Sequence, residues 1–201
     1  GWYTSDVTIT PPEGYQISET FNGTYEEEIT ISQSVGDNYT VYLKRLEDSA
    51  LFKGTVIGSI KIDKDQPTIS VEGDTTTIAQ SDIVKFTVSD GTSGVAAVYV
   101  RKGDSDPWTE VTDYQNGYTV EENGTYQFKV TDNAGNDSGI AEITYANIDT
   151  AKPVVVITAK ADEDTYTSDT WTNEDITLSV SNSTANLGET EFEYKVDDGD
   201  W

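Results

Sequence analysis

Along most of the chain, apolar and polar side chains alternate with a period of two. In "DIVKFTVSD", Val84, Phe86 and Val88 fall on one side and Lys85 and Thr87 on the other. "GTYQFKVTD" sets Tyr126, Phe128 and Val130 against Gln127, Lys129 and Thr131, and "NYTVYLKRL" aligns Tyr39, Val41 and Leu43. Successive side chains of a strand point to opposite faces, so this alternation predicts strands with one buried face. Between the runs lie "PPEGY", "SVGDN", "SDGTSG", "YQNG", "EENG", "DNAGND" and "DDGD", whose Gly, Asn, Asp and Pro suit turns. No apolar stripe repeats at 3.6 residues; "YLKRLEDSALF" comes nearest, and it reads as a strand entering a hairpin. Short strands with turns every ~8 to 12 residues predict antiparallel sandwiches, so the expected fold class is all-β.

Two phrases occur twice, which bears on architecture more than any single motif. "GWYTSDVTIT" lies over "TWTNEDITLS", matching Trp2 to Trp171, Asp6 to Asp175, Val7 to Ile176, Thr8 to Thr177 and Ile9 to Leu178. "IKIDKDQPTISV" and "ANIDTAKPVVVI" share Ile-Asp-x3-Pro, setting Ile62, Asp63 and Pro67 against Ile148, Asp149 and Pro153. The offset from Asp63 to Asp149 is 86 residues, slightly under the ~100 of an immunoglobulin-like sandwich. Tyr39 then lies over Tyr126, each opening an alternating strand after a turn, where a tyrosine corner is expected. Each linker proline lacks an N–H and suits the edge strand that begins a new sheet. The predicted domains are 1–64, lacking its first strand; 65–150, complete; and 151–201, the N-terminal part of a third. In that third copy Tyr194 and Trp201 stand where Tyr99 and Trp108 do. Both ends are expected to fall inside repeats, the last being disordered, swapped or completed by residues outside 1–201.

The side-chain inventory removes most catalytic chemistry. Among 201 residues there is no Cys and no His, which excludes disulfides, thiolate nucleophiles and Ser–His or Cys–His machinery. Metal sites ligated by Cys or His go with them. The formal net charge of -25, from 37 acidic and 12 basic residues, repels phosphate backbones and anionic headgroups. No run approaches the ~18 apolar residues of a membrane helix. An acidic, Cys-free, Thr-rich composition points to a bacterial surface protein.

The pattern Trp-x3-Asp-Val-Thr-Ile, then "PEGYQIS", a Tyr-x-Leu-Lys strand and Ile-Asp-x3-Pro resembles tandem bacterial Ig-like repeats. "NGTYQFKVTDNAGND" is similar to a signature of the same broad group. The resemblance spans nearly the whole chain. It implies tandem immunoglobulin-like β-sandwiches in an extended arrangement, from surface-anchored or secreted proteins of Gram-positive bacteria. Such modules serve as spacers, adhesins or accessory parts of carbohydrate-active enzymes, so the fold does not fix the function.

Candidate sites divide into four groups. Trp2, Trp108, Trp171 and Trp201 could stack on sugars, but two of them recur at equivalent repeat positions, so packing is the expected role. Asp63, Asp65 and Asp149 form an acidic linker set, which Asp132, Asn133, Asn136 and Asp137 could join. Calcium takes six to eight oxygens, and these are the calcium candidates; against them, Ala151 replaces the second acid in the later linker. Lys85 and Lys129, which could serve isopeptide cross-links, lie on the polar faces of their strands. Five Asn-x-Ser/Thr words, at Asn22, Asn38, Asn123, Asn136 and Asn182, suit turn chemistry better than glycan attachment.

With 37 acidic residues, carboxylate pairs are unavoidable, and none is set in a catalytic motif. No phosphate loop, dinucleotide fingerprint or nucleophile elbow is present. The expected function is a non-catalytic stalk or adhesive module on a bacterial cell surface or wall. Its expected partners are neighbouring repeats of the same chain and a host protein or glycan, with no nucleic acid, membrane insertion or required cofactor. A carbohydrate-binding accessory module is the alternative.

Overall fold

The computed structural model describes residues 1–182, 187 and 191–195. In chain order the strands are β1 (Trp2–Tyr3), β2 (Val7–Ile9), β3 (Tyr15–Ser18), β4 (Ile29–Ile31), β5 (Tyr39–Arg45), β6 (Leu51–Val56), β7 (Lys61–Ile62), β8 (Thr68–Glu72) and β9 (Asp82–Ser89). They continue as β10 (Val95–Lys102), β11 (Thr109–Glu110), β12 (Tyr118–Val120), β13 (Gly124–Asp132), β14 (Ala141–Tyr145), β15 (Val155–Ala161), β16 (Asp164–Thr165) and β17 (Ile176–Asn182). The helical element among the described residues is a single 3-10 turn at Tyr114–Asn116. The fold is all-β, as the alternation requires. Two compact units result, one of Gly1–Glu72, Lys85–Gly117 and Tyr126–Ile143, the other of Gly73–Val84, Tyr118–Thr125 and Thr144–Trp201.

In the first unit, β2 pairs antiparallel with β4, setting Val7 opposite Ile31 and Ile9 opposite Ile29. A second sheet runs β3-β5-β6, with Ile17, Leu43 and Phe52 in register. Buried Ile31, Ile60 and Ile62 carry Val7, Ile9, Ile29, Val35, Tyr39 and Val56 packed against them. That core draws on both sheets, so the two layers close as a sandwich. β1 runs parallel to β7, Tyr3 opposite Ile62, and the Asp63 N–H extends this pairing by donating to the Tyr3 carbonyl at 2.9 Å.

The same unit holds β8 against the Lys85–Ser89 end of β9, with Ile69 opposite Val88 and Val71 opposite Phe86. It also holds the body of the sheet β11-β10-β13-β14. Val98 faces Val130 and Val100 faces Phe128 across β10 and β13, and all four are buried. Phe86 meets Phe128 edge-on at 5.1 Å between ring centroids, which joins the two layers. The strand orders β12-β9-β8 and β11-β10-β13-β14 are those of immunoglobulin-like connectivity.

In the second unit, β12 pairs with the Asp82–Val84 end of β9, and Ala79 bridges in parallel to Ile148. The Asp149 N–H donates to the Ala79 carbonyl at 2.8 Å, so Ala79 and Ile148 repeat the closure made by Tyr3 and Ile62. The sheet β16-β15-β17 comes next, with Ile157 opposite Val180 and Ala159 opposite Leu178. Ile157, Leu178, Val180 and Ile176 are exposed, so this sheet has one uncovered apolar face.

Several expectations change in the structure. Gln127, placed outward by alternation, is buried: Arg101 Nε donates to its Oε1 at 2.7 Å, and its Nε2 donates to Asp104 and Glu142 at 2.9 and 2.8 Å. Tyr39 opens β5 as expected, but its hydroxyl donates to the Glu19 carboxylate and not to backbone, so it makes no tyrosine corner. The two tryptophan-led phrases diverge at the tryptophan itself. Trp2 lies half-buried on β1 with the Lys61 ammonium 5.5 Å from its ring centroid, whereas Trp171 is fully exposed outside any strand. Packing therefore fails as the role of Trp171. Trp201 lies outside the described residues.

Candidate functional site

Three strand ends of the first unit converge on one point. Asp63 follows β7, Asp90 follows β9 and Asp132 ends β13. One carboxylate oxygen from each lies within 4.8 Å of the others. Asp63 and Asp132 are both buried at 2% exposure, while Asp90 is half-buried. Buried anions this close need compensation.

Backbone N–H groups supply it. Asp132 Oδ1 accepts from Ala134, Gly135 and Asn136 at 2.8, 2.7 and 2.8 Å, while its Oδ2 accepts from Asn136 Nδ2 at 2.8 Å. Gly135, at φ +102°, lets the "DNAGN" turn wrap the carboxylate. Burial pushes the Asp132 carboxyl up, but the Asn136 side chain and the N–H groups of Asn136, Gly135 and Ala134 together hold it below its usual range. Asp90 Oδ1 accepts from Thr92 at 3.2 Å and Gly94 at 2.5 Å. Asp63 Oδ1 accepts from Asp65 N–H at 3.1 Å and its Oδ2 from Ser93 N–H at 2.8 Å.

Asparagine side chains then tie the turns together. Asn133 Nδ2 donates to the carbonyls of Ser93 and Gly94, both at 2.9 Å, and Asn136 Nδ2 donates to the Asp63 carbonyl at 3.0 Å. This hydrogen-bonded junction has three carboxylates at its centre. Oxygens that all lie within 4.8 Å of one another can share one ion bound at ~2.4 Å, so the three carboxylates fit a hard cation such as calcium.

Of the calcium candidates, then, Asp63 and Asp132 meet, with Asn133 and Asn136 bracing them. Asp65 contributes its N–H and no carboxylate to the trio. Asp149 sits apart, its Oδ1 accepting from Ala151 N–H at 3.0 Å and its Oδ2 from Leu187 N–H at 2.8 Å. Asp137 turns to Lys129 Nζ and Thr131 Oγ1, each at 2.6 Å, and this pairing with Lys129 first and Thr131 next lowers its carboxyl pKa. Asp90 was missed by sequence reasoning; its only signal was the Asp after Ser89 in "SDGTSG", which reads as a turn.

The remaining candidates sort by what occupies them. The Trp108 ring lies under the Arg101 guanidinium, 4.6 Å from its centroid, with Lys129 Nζ at 5.4 Å. Those cations take ring surface a sugar would need. Lys129 is engaged with Asp137, and Lys85 is exposed. Asn123 exchanges two hydrogen bonds with the Ile148 backbone, each at 2.8 Å, and Asn136 is committed to the acidic junction, so neither amide is free for glycan attachment. An open depression of about 440 Å³ near β3 and β4 is lined by Ser18, Glu19, Glu26 and Glu28 among others. Among the described residues no helix is long and apolar enough to cross a membrane.

No protein-family model matches the chain, and no curated protein matches it. Among solved structures it is similar to a stretch of titin domains at 15% identity, covering 71% of this chain and 60% of that one, with a TM-score of 0.35. It is likewise similar to fibronectin(III)-like modules of CbhA from Clostridium thermocellum at 12% identity, covering 73% and 88% of the two chains, TM-score 0.35. The match thus spans less than two thirds of the titin chain. The fold assignment rests on the strand pairing described above.

Proposed function

We propose that the chain is a run of sandwich repeats, 1–64, 65–150 and 151–201, serving as a non-catalytic stalk or adhesive part of a bacterial cell-surface protein, outside the cell. The supporting observation is the repeated closure at Tyr3–Ile62 and Ala79–Ile148, each continued by the N–H of Asp63 or Asp149. Parallel pairings that seal one repeat just before the chain enters the next load their hydrogen bonds side by side when the chain is pulled. The partners we propose are neighbouring repeats and a host protein or glycan.

Single-molecule pulling tests this. The 86 residues of 65–150 should unfold at a distinct force peak that releases roughly 30 nm, and the 64 residues of 1–64 at one that releases roughly 22 nm, at about 3.5 Å per residue. Smooth extension without peaks would sink the stalk reading.

We propose further that the Asp63, Asp90 and Asp132 carboxylates are held by backbone N–H groups and that no cofactor is required. If the protein takes calcium, the ion belongs at these three residues. Carbohydrate binding is the second reading, favoured by the bare ring of Trp171. Retardation on polysaccharide in affinity electrophoresis, lost in Trp171→Ala, would establish it.

A further inference from the structure

The two linker aspartates make the same four-part connection in places that share little sequence beyond Ile-Asp-x3-Pro. Asp63 N–H donates to the Tyr3 carbonyl at 2.9 Å and Asp149 N–H to the Ala79 carbonyl at 2.8 Å. One carboxylate oxygen of each takes the N–H two residues on, Asp65 at 3.1 Å and Ala151 at 3.0 Å. The other oxygen takes an N–H from a residue far along the chain, Ser93 at 2.8 Å (30 residues on) and Leu187 at 2.8 Å (38 residues on). The isoleucine before each aspartate is gripped through both its N–H and its carbonyl by one polar side chain, Ser34 for Ile62 and Asn123 for Ile148.

From this recurrence we infer that Asp63 and Asp149 are bidentate latches that fix the direction in which the chain leaves one repeat and enters the next. The inference rests on the spacer reading and supplies its mechanism. The backbone N–H of the aspartate extends the closing pairing, so it moves with the repeat just finished. Its carboxylate serves the linker and the next repeat: one oxygen closes the linker turn, and the other holds a backbone N–H of that repeat. Only Asp fits this task. Glu is one methylene too long to bond its own i+2 N–H in this turn, and Asn offers one acceptor and would set an N–H2 against an N–H. Charge-assisted bonds to backbone N–H groups are stronger than neutral ones, so two per carboxylate resist bending better than a neutral turn. The latch needs no cation: Asp149 makes its pair of bonds although it belongs to no acidic trio among the described residues.

The chain has no cysteine, so spin labels can be placed at will in the full-length protein. Label pairs at exposed Ser5→Cys with Ser105→Cys, and Ser105→Cys with Ser168→Cys, bracket Asp63 and Asp149 respectively. Distance distributions by double electron–electron resonance, recorded with EDTA, should be narrow in the parent chain. Asp149→Asn should widen the second distribution at least about twofold and leave the first unchanged; Asp63→Asn should do the converse. Unchanged widths in variants with native circular dichroism would overturn the latch, as would a parent distribution that narrows only on adding calcium. If Asp63→Asn fails to fold, the half-exposed Asp149 position decides the matter alone. Loss of the force peaks in pulling would instead count against the stalk reading, because that experiment reads repeat unfolding and not linker direction.

Discussion

Phe128 is where the middle sandwich is most open to a quantitative test. Its side chain has 0% exposure, and its ring meets Phe86 edge-on at 5.1 Å and 62°. Truncation to alanine removes the buried ring and leaves a cavity that β-sheet neighbours collapse into poorly, at a cost of about 3–5 kcal/mol. The lost edge-to-face pair accounts for ~0.5–1.5 kcal/mol of that. A repeat of 86 residues is expected to be stable by ~4–13 kcal/mol, at about 0.05–0.15 kcal/mol per residue. Phe128→Ala should therefore remove much of the middle repeat's stability while leaving the Ile31, Ile60 and Ile62 core untouched. Phe128→Leu keeps four of the seven side-chain carbons and should cost about 2 kcal/mol. Urea unfolding followed by tryptophan fluorescence and circular dichroism can separate the two, since Trp2 and Trp108 belong to different sandwiches. One transition should move to lower urea, with alanine moving it further than leucine, and the other should stay. A loss below about 1 kcal/mol, or a joint shift of both transitions, would refute separate cores.

Three further outcomes are expected. Asn123→Ala strips both partners from the buried Ile148 backbone, at about 1–3 kcal/mol for each orphaned group; Asn123→Ser, imitating Ser34, should recover part of the loss in chemical denaturation. The Tyr39 hydroxyl is pushed up to about 12, first by burial and then by its hydrogen bond to Glu19. A raised folded pKa means stability that is complete below the ordinary tyrosine value of ~10 and is lost as pH climbs from there towards 12; Tyr39→Phe should flatten that part of the stability–pH curve. Calcium at 1 mM should change the melting temperature little. A site at Asp63, Asp90 and Asp132 with a Kd of ~0.1–1 mM would add about 0.4–1.4 kcal/mol, roughly 2–11 °C, and a rise of that size abolished by Asp90→Asn would contradict the metal-free reading.

Alternation in "DIVKFTVSD" and "GTYQFKVTD" located β9 and β13 and named Val84, Phe128 and Val130 as core, because period two is a property of the extended backbone itself. The repeated Ile-Asp-x3-Pro located the junctions for a similar reason: the same local bonds recur wherever the same short phrase does. Gln127 and Trp171 escaped this logic. Gln127 is buried by Arg101, Asp104 and Glu142, which arrive from other strands and loops, and Trp171 has no counterpart of Lys61 over its ring among the described residues.

By itself, then, the order of residues determined the strands, their inward faces, the turns and the repeat, all of which arise from interactions within a few positions of each residue. Only the folded chain decided that Asp63, Asp90 and Asp132 share one point, and that each linker aspartate reaches a backbone N–H 30 or 38 residues away. Carboxylates so distant in sequence meet only where separate strands happen to end together, and that is set by how the sheets stack.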